Sequence, residues 1–119
     1  MKRFDNAQFL GNLPTPNGWL GNGTAAVTHT TFYTPYYLGI DAVNGHLFVG
    51  DDYRVLLFQN AQLKSNSAPA DLVLGQSSFT SSSITCDANT LNNAIEPYFD
   101  SQSGSLFVSD YYHHRQVSH

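Results

Sequence analysis

One stretch of this chain is written twice. Gly45-His46-Leu47-Phe48-Val49-Gly50-Asp51 returns as Gly104-Ser105-Leu106-Phe107-Val108-Ser109-Asp110, from position 45 to position 104, an offset of 59. Each copy is followed by Tyr, Arg and Val: Tyr53-Arg54-Val55 after the first, and Tyr112, Arg115 and Val117 after the second. Two further matches share an offset of 54. They pair Phe4-Asp5-Asn6-Ala7-Gln8 with Phe58-Gln59-Asn60-Ala61-Gln62, and Leu20-Gly21-Asn22 with Leu74-Gly75-Gln76. Self-similarity at such a period marks an array of like supersecondary units, and loops of variable length between fixed elements produce the drift in offset.

Composition decides what those units are made of. Only 12% of the 119 residues are charged, with one Glu (Glu96) and two Lys (Lys2, Lys64), so the residues that fill exposed helix positions are nearly absent. Seven Tyr, eight Phe, nine Gly and runs of Ser, Thr and Asn suit short strands joined by turns. Tyr37–Asp41 and His46–Gly50 flank Ala42-Val43-Asn44-Gly45, where Asn-Gly is a hairpin signal because both residues accept positive φ. A third strand follows at Arg54–Phe58 and a fourth at Asp71–Gly75. The runs LFV, VLLF and LVL are apolar without alternation, which predicts strands covered on both faces. The expected fold is all-β, built of four-stranded antiparallel meanders.

Charge and cysteine narrow the partners. The formal net charge is -4, the wrong sign for phosphate contacts, so nucleic acid is excluded as a partner. The one cysteine, Cys86, forms no internal disulfide and lies in a polar loop without a base to activate it. No apolar run reaches the roughly 20 residues of a membrane span, and the N-terminal residues lack a signal-peptide apolar region. The chain reads as soluble, with an extracellular site left open.

The units resemble NHL-repeat β-propeller blades. The similarity lies in Pro35 to Val55 and Pro97 to Val117, each with a Gly-x-Leu-Phe-Val-x-Asp strand ahead of an Arg. It also lies in Ala70-Asp71-Leu72-Val73-Leu74-Gly75-Gln76-Ser77-Ser78-Phe79-Thr80, similar to the phrase that precedes the next repeat. On this resemblance residues 1–34 end one blade and lead on, 35–76 form a complete blade, 77–96 a polar loop, and 97–119 three strands of another. Only two residues separate Pro97 from Asp100 against five between Pro35 and Asp41, so the first strand of the last unit is expected to be short or irregular. Strands in groups of two, four and three are too few to close a propeller of four to eight blades, so the propeller is incomplete in this chain.

The resemblance gives the repeated Asp51/Arg54 and Asp110/Arg115 pairs the role of structural ties across a hairpin. His113, His114 and His119 lie near Asp110, a combination suited to Zn²⁺ or Ca²⁺ in general, yet the spacing matches no ligand pattern and no metal or cofactor is expected. His29 and His46 read as ordinary polar residues. The Ser-rich run lacks a nucleophile elbow, and Gly18, Gly21 and Gly23 form no phosphate loop. Trp19, Tyr33, Tyr36, Tyr37, Tyr111 and Tyr112 are candidate interface aromatics, since Tyr offers an apolar face with a polar end. Asn22-Gly23-Thr24 is a candidate glycosylation site. The expected function is a noncatalytic structural and protein-interaction module that assembles with further blades or with copies of itself. The alternatives are a fragment of a six-bladed propeller enzyme of lactone-hydrolase or lyase type, with a metal on the axis, and a propeller that binds glycan through its tyrosines.

Overall fold

The β-branched and aromatic runs form short strands, every pair antiparallel. The computed structural model describes residues 1–5, 15–84, 86–113 and 115–118, with backbone alone at 94, 95, 115 and 116. β1 (Lys2–Arg3) pairs with β2 (Gly18–Trp19). β3 (Pro35–Asp41), β4 (His46–Asp51), β5 (Arg54–Phe58) and β6 (Leu72–Leu74) make a four-stranded meander. β7 (Ala94–Asp100), β8 (Ser105–Asp110) and β9 (Arg115–Ser118) make a three-stranded one. Among the described residues the helical segments are two single 3-10 turns, Ala61–Leu63 and Tyr111–His113.

Hydrogen-bond register aligns the two larger sheets residue by residue. Gly39, Phe48 and Leu57 lie in line across the first, where Tyr98, Phe107 and Ser118 lie in line across the second. Ile40 opposes Leu47 as Phe99 opposes Leu106. The β3–β4 and β7–β8 loops close alike. The carbonyl of Asp41 accepts from the Gly45 N–H and that of Asp100 from the Gly104 N–H, both at 2.8 Å. Gly45 and Gly104 have φ of 74° and 73°, in the left-handed region where a side chain would be strained. The connection is the four-residue loop 42–45 read from the sequence, with positive φ at Gly45 and not at Asn44.

Two apolar layers hold the sheets together. Phe48, Val55, Leu57 and Leu74 of the four-stranded sheet meet Phe99, Leu106, Val108 and Val117 of the three-stranded sheet, with Leu91 alongside. The rings of Phe48 and Phe99 stack at 5.5 Å between centroids. On the opposite face Val49, Leu56 and Phe58 pack with Leu20, Phe32, Ala68 and Ala70. Val49, Val55 and Leu56 are wholly buried, and each contributes about 2 kcal/mol of burial free energy. At Gly39 a Cβ would collide with the Pro97 carbonyl oxygen, so glycine permits the close approach of β3 and β7.

Four expectations are corrected by this arrangement. Arg54 and Arg115 do occupy equivalent places, opposite Asp51 and Asp110, but the intervening connection is longer in the second sheet. After the arginine one further residue, Gln116, precedes the valine, so Gln116 stands at the position of Val55 and Val117 opposes Val108 as Leu56 opposes Val49. The three-stranded sheet begins at Ala94, not at Pro97, because a bulge between Ile95 and Tyr98, with Glu96 at φ 49°, carries the pairing back past the proline. The strand expected at Asp71–Gly75 is shorter, Leu72–Leu74, since Gly75 turns the chain with φ of 86°. The LFV run of β8 is not covered on both faces: Leu106 and Val108 are buried, whereas Phe107 is 43% exposed.

Candidate functional site

The β4–β5 hairpin places Asp51 and Arg54 opposite one another at its closed end. Arg54 Nε donates to Asp51 Oδ2 at 2.9 Å, and its Nη2 lies 2.8 Å from the same oxygen. The remaining guanidinium donors reach the carbonyls of Phe79 at 2.7 Å and Thr31 at 2.9 Å. Asp51 in turn accepts from the backbone N–H groups of Tyr33 and Thr34, at 3.1 and 2.6 Å. Both side chains are essentially inaccessible. A buried charge pair is tolerable only with such full satisfaction, and this one ties the hairpin to the segments that precede β3 and follow β6. Next to it, burial raises the Asp52 carboxyl, against the Thr34 hydroxyl, and the Asp51 charge adds to the rise. The Asp52 charge in turn raises the Tyr53 hydroxyl, helped by burial and by Tyr33.

Asp110 holds the equivalent place in the second sheet. It accepts from the Asn92 N–H at 2.8 Å, two residues ahead of β7, as Asp51 does two residues ahead of β3. His113 Nδ1 donates to Asp110 Oδ2 at 2.9 Å, and its Nε2 lies 3.1 Å from the Ile84 carbonyl oxygen. The Arg115 side chain, expected as the partner of Asp110, lies outside the described residues, as do His114 and His119. Asp41 and Asp100 close the loops that follow the first strands. Burial raises Asp41, but the Asn44 amide and the Asn44 and Val43 N–H groups outweigh it, helped by His46, and hold the carboxyl below 3.8. The Ser103 hydroxyl and the Gln102 N–H hold Asp100 below the same value against burial.

The candidate aromatics divide into separate groups. Tyr33 stacks on Tyr53 at 6.1 Å, Tyr36 meets Tyr37 edge-on at 6.4 Å, and Tyr111 meets Tyr112 edge-on at 5.1 Å. All flank the Asp51 and Asp110 ends of their sheets by register. Tyr33, Tyr36, Tyr111 and Tyr112 are exposed, and Tyr37 is half-buried. Trp19 is not among them: it sits in β2 and lines a groove of about 570 Å³ with Met1, Phe4, Leu20, Leu38 and Ile40. Asn22 is exposed, its Oδ1 accepting from the Thr24 N–H at 3.1 Å, and Cys86 is exposed. Among the described residues no helix is long and apolar enough to cross a membrane.

No protein-family model matches the chain, and no curated protein matches it. Two features escape a reading of the sequence. Gln76 is 8% exposed, and its amide donates to the carbonyls of Tyr53 and Ser83 while its Oε1 accepts from the Ser83 N–H and the Ser81 hydroxyl. The only signal for it is its place after the repeated Leu-Gly pair. The groove is the second, and its signal is the spacing of Leu38 and Ile40 on one face of β3.

Proposed function

We propose that this chain is a noncatalytic stacking module, built of NHL-like blades that assemble with further blades or copies. The observation that carries the reading is the face-to-face packing of two register-equivalent sheets, with Phe48 of one against Phe99 of the next. Each sheet thus uses one apolar face for its neighbour on one side and keeps the other for a neighbour on the opposite side, the organisation of a quasi-one-dimensional array. The repeated carboxylates support it as well. Asp41, Asp51, Asp100 and Asp110 accept hydrogen bonds from backbone N–H groups of their own loops and strand entries, where they fix the architecture. The alternative is the enzyme fragment of lactone-hydrolase type. Incubating the chain with a small γ-lactone in the presence of Ca²⁺ or Zn²⁺, with acid release followed by titration, separates the two. The expected rate is that of buffer alone, and acid release that scales with protein concentration overturns the noncatalytic reading.

A further inference from the structure

The inner interface leaves a matching pair of outer faces. Phe48 and Phe107 are equivalent by register, and so are Ile40 and Phe99. Within the chain the contact runs from Phe48 to Phe99. At one end of the molecule Phe107, 43% exposed, presents the Phe48 position. At the other, Ile40, 63% exposed, and Leu38, 55% exposed, present the Phe99 side. Phe107 thus presents the half of the contact that Ile40 lacks, at the β3 side of a face whose Val49, Leu56 and Phe58 already lie beneath Leu20, Phe32, Ala68 and Ala70.

Shape reinforces the match. The inner interface is closed at Gly39, where the Pro97 backbone approaches the strand. The equivalent position on the outer face is Tyr98, 67% exposed, a ring projecting where the inner interface has none. The opposing face is correspondingly hollow. The groove of about 570 Å³ beside β3 is lined by Leu38, Ile40, Leu47, Leu20 and Trp19, room for aromatic side chains to enter. Lys2, Arg3 and Lys64 stand on the rim of that groove. Arg3 and Lys64 are paired with Asp5 and Asp71, at 3.0 and 2.8 Å, and exposed Glu96, beside Tyr98, is opposite in charge to Lys2 of the groove.

Resting on the stacking reading above, we infer that the occupant of the groove is a second copy of this chain. It docks head to tail, with Tyr98 and Phe107 of one copy against Leu38 and Ile40 of the next. The contact uses different surfaces on the two partners, so it is heterologous and either closes a ring or extends. Such a contact has a signature that a symmetric one lacks.

The test uses Ile40→Asp and Tyr98→Asp, both at exposed positions, with circular dichroism to confirm that each variant remains folded. Light scattering on the unaltered chain is expected to give a mass above that of the monomer that rises with concentration in the micromolar range. Each variant alone is expected at the monomer mass, because one of its two faces is blocked. An equimolar mixture is expected at twice the monomer mass, since the intact Tyr98 face of one variant docks on the intact Ile40 face of the other. A monomeric unaltered chain overturns the inference and assigns the groove to another occupant. A Tyr98→Asp variant that assembles like the unaltered chain overturns it in favour of a symmetric contact through the groove, and a mixture that stays monomeric overturns it outright. None of these results touches lactone turnover, so failure of the copy as occupant remains distinct from failure of the noncatalytic reading.

Discussion

The four-stranded and three-stranded sheets share a register and differ in what covers them. Phe48 is 7% exposed where its equivalent Phe107 is 43% exposed, and Gly39 meets a neighbouring backbone where its equivalent Tyr98 meets solvent. The connection between the second and third strands is short in one and includes a 3-10 turn, Tyr111–His113, in the other. The same strand text therefore produces the same backbone, and the neighbour decides which side chains become core. Position in the array, not strand sequence, sets the energetic weight of each residue.

The largest expected effect is at the enclosed tie. Arg54→Ala leaves Asp51 buried without its counter-ion and strands the carbonyls of Thr31 and Phe79, which is expected to cost about 3–5 kcal/mol in urea unfolding. A loss under about 1 kcal/mol breaks the reading of Asp51 and Arg54 as a structural tie. The paired phenylalanines come next. Phe48→Ala is expected to cost about 3–5 kcal/mol and Phe107→Ala about 1 kcal/mol in the monomeric state, and equal losses erase the distinction between covered and open faces.

Gly39→Ala puts a methyl group into the Pro97 backbone and is expected to cost about 2–3 kcal/mol, whereas Tyr98→Ala at the equivalent place stays within about 0.5 kcal/mol. The smallest effect concerns the one pair of positions expected to behave alike. Asp41 and Asp100 are both held below 3.8 in the folded chain, so both stabilise it above that pH, and the contribution is lost as pH falls through the folded values. Acid titration of unfolding should show the loss below about pH 4, and it should shrink by a similar amount in Asp41→Asn and Asp100→Asn. Unequal shrinkage marks the two loops as different.

The strands of both sheets were legible because repeated text fixes register: Leu47, Phe48 and Val49 announce the places of Leu106, Phe107 and Val108. Burial was less legible. LFV reads alike in both copies, and only the tertiary neighbour separates a buried Phe48 from an exposed Phe107. The β7 boundary escaped because Pro97 reads as a strand start, while the bulge around Glu96 lets pairing run back to Ala94. The Asp51–Arg54 pair was visible as a repeated motif, but its bonds to Thr31 and Phe79 come from segments distant in sequence. Gln76 and the groove depend wholly on such distant approaches and leave almost no local mark.

Nuclear Overhauser effects between aromatic rings report whether the two equivalent sheets lie face to face. Phe48 and Phe99 rings stacked 5.5 Å apart predict strong cross-peaks between them in the monomeric Ile40→Asp variant. A Phe48 ring with cross-peaks only to its own sheet, and none to Phe99, would contradict the face-to-face stacking of the two sheets.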